Sequence, residues 1–168
     1  MKQSSSASPQ RYHPALVGLH WLVLLLIVGT VLSLAGSEGE GRGGGSLLPH
    51  MVLGTLVLVL LAVRLLVRWR TQKPAWLSSG SALLDVVGHL THFGLYFFAF
   101  TMTLSGLGVV FLGGGRGEME GGGGFVLPLL HGLSWLILML LMALHSGAAL
   151  YHQFVLNDEV FSRMWFEN

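Results

Sequence analysis

Apolar residues run along this chain in four long blocks, Ala15 to Ala35, Pro49 to Val67, Ala82 to Leu112 and Phe125 to Leu156, with polar or glycine-rich breaks between them. A bilayer core takes about 20 mostly apolar residues per helix, and each block qualifies. The pattern predicts an all-α membrane protein, a four-helix transmembrane bundle formed by a single domain over residues 1–168. The last two blocks exceed the minimum by about ten residues each, so they are expected to tilt or project past the lipid. Residues 1–11 read as a flexible tail. Lys2, Arg11 and the small-residue run Ser33-Leu34-Ala35 give the first block some likeness to a secretory signal. Its apolar run outlasts the usual signal core of about 7–15 residues, and His20 inside it would be an odd passenger, so it is read as a span.

Composition narrows the functions. Of 168 residues, 52% are hydrophobic and only 10% charged, with a mean hydropathy of +0.68; soluble domains carry roughly 25% charged residues. The formal net charge of +1 leaves no basic surface for nucleic acid. With no cysteine, disulfides, iron–sulfur clusters, thiolate zinc sites and covalently attached haem are excluded.

Charge also orients the chain. Lys2, Arg11, Arg64, Arg68, Arg70, Lys73 and Arg163 fall on one side of the expected bundle, and only Arg42 and Arg116 on the other. By the positive-inside rule both termini are cytoplasmic. The two outer loops, Gly36 to Ser46 and Gly113 to Gly124, hold 14 of the 24 glycines and four of the eight acidic residues. They read as flexible connections and poor docking platforms.

Eight histidines in so apolar a chain require a cause, because a polar ring in hydrocarbon needs a partner. A lone histidine on an apolar helix is more often a hydrogen-bonded interior residue than a ligand. Spacing alters that reading for the fourth block, where His131 and His145 return to nearly the same helix face about 21 Å apart along the axis. In the outer leaflet the one candidate partner for His131 is His50. In the inner leaflet His20, His89, His92, His145 and His152 all lie within range, with His20 a plausible depth match for His145. His89, His92 and His152 look more like neighbours of a ligand, or residues on the propionate side, than axial ligands.

Two imidazoles facing each other in each leaflet, without a cysteine or buried carboxylate to complete a tetrahedral site, suit iron porphyrin better than zinc. The implied cofactors are two b-type haems. Filling both axial positions disfavours oxygen binding and favours electron transfer. Small residues beside the histidines (Gly54, Gly132, Ser146, Gly147) would leave room for a flat macrocycle, although they also serve plain helix packing. Arg64, Arg68 and Arg70 could pair with haem propionates or serve only as topology signals. Met51, Met102, Met139 and Met142 are weaker candidate ligands, and Asp85 is expected at the hydrated interface.

The sequence resembles the bacterial cytochrome b561 family of small four-helix dihaem membrane proteins. Gly18-Leu19-His20-Trp21-Leu22, Pro49-His50, Arg64-Leu65-Leu66-Val67-Arg68 and Gly88-His89-Leu90-Thr91-His92 carry the likeness. So do His131 and the run from Leu144-His145-Ser146-Gly147 to Tyr151-His152. The resemblance spans about Tyr12 to Met164. It implies that His20 with His145 binds the cytoplasmic-side haem and His50 with His131 the outer one. It also implies a multi-pass protein of the bacterial inner membrane that exchanges electrons with quinone; some members are linked to superoxide oxidation on the outer side. The glycine-rich outer loops depart from the family pattern and put substrate recognition there in doubt.

The expected function is therefore transmembrane electron transfer through two haems to quinone or a redox partner. One alternative is a haem-bearing anchor subunit of a larger dehydrogenase or respiratory complex. The other is a metal-ion transporter, disfavoured because its spans almost lack the carboxylates that hard or borderline cations need.

Overall fold

A computed structural model describes residues 11–37, 47–76, 78–112, 125–158 and 160–165. Residues 1–10 of the tail, 38–46 of the first glycine-rich loop and all of the second, with Arg42 and Arg116, lie outside the described residues. Four helices follow in order: α1 (Pro14–Ser37), α2 (Leu48–Arg70), α3 (Ala82–Phe111) and α4 (Val126–Tyr151). All four are long and apolar enough to cross a membrane, as the hydropathy blocks predict. Proline opens α1, at Pro14, and sits in the first turn of α2, at Pro49, where its missing N–H costs nothing and its fixed φ suits the helix.

Helix ends differ from the expected ones where the hydropathy profile and the hydrogen-bond ladder diverge. Arg68 and Arg70 end the apolar run of the second block, yet α2 continues to Arg70, its last turn closed by the Thr71 N–H donating to Val67 O at 3.0 Å. At the other extreme, α4 does not run to Leu156 as regular α-helix. It widens into a π-helical turn over His152–Leu156, which ends at Asn157 in the left-handed region at φ 50°. A short 3₁₀ turn, Ser162–Met164, follows. Between α2 and α3 the connector turns at Gly80, whose φ of 81° side-chain-bearing residues rarely adopt.

Neighbours in sequence pack together: α1 against α2, α2 against α3, and α3 against α4. A shared core gathers Val23 and Ile27 of α1, Val57 and Leu61 of α2, Ala99 and Met102 of α3, and Leu138 of α4. Large apolar side chains also cover the outside, among them Leu25 at 66% and Leu140 at 68% exposure. Such a surface suits lipid and would be an aggregation hazard in water. Hydroxyls along the helices satisfy themselves internally: Thr30 donates to Leu26 O, Thr91 to Val87 O and Thr103 to Ala99 O, the expected answer where no water is at hand.

The α3–α4 seam is close because α3 carries glycine notches. A Cβ at Gly94 would lie 2.9 Å from Leu141 Cδ1, and one at Gly108 would lie 3.1 Å from Leu127 Cδ1, the small-residue packing common in membranes. The start of α1, the segment after α4 and the α2–α3 connector meet at one end of the bundle, called here the terminal end. There the Trp21 indole N–H donates to Met164 O at 2.9 Å and Arg163 Nη1 donates to Ala75 O at 2.7 Å. The opposite end is called the distal end.

Candidate functional site

At the distal end, His50 from the first turn of α2 faces His131 of α4, with ring centroids 6.1 Å apart and planes at 75°. Each ring is braced by a backbone carbonyl of a third helix. His50 Nδ1 lies 3.2 Å from Thr30 O of α1, and His131 Nδ1 lies 2.8 Å from Met102 O of α3. A carbonyl oxygen only accepts, so each Nδ1 carries the hydrogen and Nε2 keeps a free lone pair. Such bracing fixes the tautomer and orientation of metal-ligating imidazoles. The His131 ring reaches its carbonyl because Gly106 lacks a side chain: a Cβ there would meet Cε1 at 2.9 Å.

The terminal end repeats the arrangement with different surroundings. His20 of α1 and His145 of α4 have ring centroids 6.1 Å apart and planes at 71°. His92 of α3 approaches His145 edge-on at 4.9 Å. Arg64 of α2 reaches in from the side, its Nη2 3.5 Å from His20 Nδ1 and its Nη1 donating to the Tyr96 hydroxyl, with the guanidinium 5.3 Å from the Tyr96 ring centroid. Arg64 Nε is buried without a partner.

The other candidates divide. His89 stacks on Trp76 at 3.9 Å and lies 2.7 Å from Asp85 O. Asp85 itself accepts from Ser78 Oγ at 2.5 Å, Ser79 N at 2.8 Å and Ser79 Oγ at 2.9 Å, so it organises the α2–α3 connector. His152 lies past the end of α4 and bonds to Asp158 at 2.5 Å. Met102 contributes its carbonyl to His131. Sequence reading missed Gly106, Tyr96, Trp76 and the two bracing carbonyls. Backbone oxygens leave no trace in a sequence, and Gly106 lies on a different helix from the histidine it accommodates.

These pairs fit a porphyrin better than a bare ion. Among the described residues no group of three or more histidine, aspartate or glutamate side chains could hold a metal ion by itself, so two imidazoles need a ligand that supplies the remaining donors. Two metal–nitrogen bonds of about 2 Å each, extended to the ring centres, come to roughly the separation seen in both pairs. Both pairs also bridge helices that do not pack closely: among the described residues α4 packs closely against α3 alone of the other three helices. A Cβ at Gly18 or Gly54, close to His20 and His50 on α1 and α2, would meet nothing within 4 Å, space that a flat macrocycle could use.

Comparison with known proteins points the same way. The family model for prokaryotic cytochrome b561 matches residues 11–167. The probable superoxide oxidase CybB of Yersinia pestis is 25% identical over 178 residues, covering 92% of this chain and 96% of that protein. Cytochrome b561 homolog 1 of Escherichia coli (strain K12) is 25% identical over 169 residues, with the same coverage of 92% and 96%. A four-helix membrane bundle matched over nearly its whole length in this way belongs to the prokaryotic cytochrome b561 family.

Proposed function

We propose that this chain carries electrons across the bacterial inner membrane through two b-type haems, one held by His20 and His145 and one by His50 and His131, and exchanges them with the quinone pool or a redox partner. Family membership makes it a multi-pass bacterial membrane protein of haem-b electron transfer. The two-haem assignment is carried by a single observation: α4 presents an imidazole toward a partner imidazole at each of its ends, with the same 6.1 Å centroid separation. The excess of Lys and Arg on the terminal side supports placing that end in the cytoplasm.

Haem b, when bound, supplies one-electron redox chemistry. The chain's own residues determine what is done with it. With His20 and His145, or His50 and His131, holding it, the iron would offer no open position to dioxygen and would favour electron transfer. Hydrogen bonds from Nδ1 to Thr30 O and Met102 O keep the distal rings from turning. Leu138, Val57 and Met102, buried between the two pairs, exclude water from the path.

The test is a reduced-minus-oxidised spectrum of the purified protein with haem quantification. Two non-covalent haems per chain are expected, with His50→Ala or His131→Ala losing one and keeping the other; a wild-type chain with one haem or none overturns the assignment. Reduction by a quinol in the absence of other proteins would favour independent activity, and dependence on a copurifying dehydrogenase would favour the anchor-subunit role. The relative named a probable superoxide oxidase suggests one donor to try: superoxide gives up one electron and leaves as dioxygen.

A further inference from the structure

The two histidine pairs share their spacing but not their electrostatics. At the distal end both rings are braced by neutral carbonyls, Thr30 O and Met102 O. An imidazole whose Nδ1–H is held by a carbonyl is a more basic ligand and favours the more positively charged, oxidised metal. At the terminal end the group beside the ring is a cation. Arg64 Nη2 lies 3.5 Å from His20 Nδ1, its Nη1 donates to the Tyr96 hydroxyl, its guanidinium lies 5.3 Å from the Tyr96 ring centroid, and its Nε is buried without a partner. Neither Asp85 nor Asp158, the carboxylates among the described residues, pairs with Arg64; the anions that could meet it are the propionates of a haem seated there, one step farther from the iron than the guanidinium is from the His20 ring. Arg68 follows one turn later on the same helix. A guanidinium keeps its charge at any working pH, and that charge is poorly screened where water is excluded.

We propose that Arg64 sets the redox order of the two sites: its fixed charge beside His20 makes the terminal-end site the easier to reduce, so electrons pass from the distal pair to the terminal pair. This inference rests on the dihaem reading above. Reduction removes one positive charge from a site, and a neighbouring cation favours that removal while a bracing carbonyl opposes it. Both effects act in the same direction. The internal step balances simply: distal iron goes from ferrous to ferric as terminal iron goes from ferric to ferrous, and no bond or proton moves. With the terminal end cytoplasmic, the donor acts at the outer face and the acceptor at the inner one.

Spectroelectrochemical titration of the purified protein tests the proposal, with haem counted in every sample. The wild type should titrate in two waves, and His131→Ala, lacking the distal haem, should keep the higher one. Arg64→Gln should retain two haems and shift the higher wave down toward the other, whereas Arg64→Lys, which keeps the charge, should leave it near its original position. A merely structural role for Arg64 would not move one potential selectively. The proposal is overturned if His131→Ala keeps the lower wave, or if Arg64→Gln holds two haems with both waves unmoved. Should Arg64→Gln fail to fold or to bind haem, the wave kept by His131→Ala decides alone. A wild-type chain without two haems overturns the dihaem reading, and this inference with it.

Discussion

The imidazole of His131 rests on the bare α-carbon of Gly106, where a Cβ would stand 2.9 Å from Cε1 and 3.1 Å from Nδ1. The same ring is tied to Met102 O, one turn earlier on α3, at 2.8 Å. It can move away from a new methyl group only by giving up that hydrogen bond. Helix propensity alone favours Gly106→Ala by about 1 kcal/mol, but overpacking typically costs about 1–3 kcal/mol, and here the strain falls on a ring that the proposed function makes a ligand. Gly106→Ala should therefore keep the helical circular dichroism while haem content falls from two per chain to one. Two haems at wild-type affinity would show that the ring tolerates displacement.

Gly94 provides the contrast, because its closest neighbour is also 2.9 Å from a built Cβ but is the terminal Cδ1 methyl of Leu141. A leucine can change rotamer, and Leu141 touches no candidate ligand through any observed hydrogen bond. Gly94→Ala should lower stability by no more than about 1 kcal/mol and leave both haems in place. The measurements are the thermal midpoint in detergent and the haem-to-protein ratio; loss of haem would mean that the α3–α4 seam itself holds the sites open.

The difference between those two glycines marks the boundary of what the sequence discloses. Hydrocarbon length dictates where spans fall, so all four helices are legible, with errors confined to ends such as Arg70 and the π-helical turn after Tyr151. Helical periodicity likewise puts His131 and His145 on one face of α4. What periodicity cannot supply is which side chain of another helix stands opposite. The small residues singled out beside the histidines, Gly54, Gly132 and Gly147, have nothing within 4 Å of a built Cβ, while the glycine that seats His131 comes from α3. His92 likewise gives no sign in the sequence that it lies nearer to His145, at 4.9 Å, than His20 does at 6.1 Å.

Beyond α4, the chain folds back across the terminal end and is held there by few contacts. Trp21 donates to Met164 O at 2.9 Å and meets the Trp165 ring edge-on at 5.5 Å. Trp21→Phe keeps an aromatic ring but removes the donor, a loss of about 1 kcal/mol for a typical hydrogen bond. The expected outcome is faster amide exchange across residues 160–165 with haem content unchanged, read by peptide-resolved hydrogen exchange. Unaltered protection would assign the hold to Arg163 and its bond to Ala75 O.

Acid should release the same segment through Asp158. Burial alone would raise this carboxyl, but the hydrogen bond from His152 at 2.5 Å and that from the Val160 amide at 3.0 Å, with Arg163 nearby, outweigh it and hold Asp158 below the usual carboxylate value. A carboxyl depressed in the folded state contributes stability that is fully present above its unfolded value, about 3.9, and is lost as pH falls through the lower folded one. Protection of residues 160–165, corrected for intrinsic exchange rates, should therefore be constant from neutral pH down to about 4 and drop below it. Asp158→Asn should remove that step, leaving protection low at every pH because the ionised acceptor is gone. A step that survives in Asp158→Asn would mean that another acidic group controls the fold-back, and protection that persists in acid would mean that the Trp21 and Arg163 contacts hold it without the carboxylate.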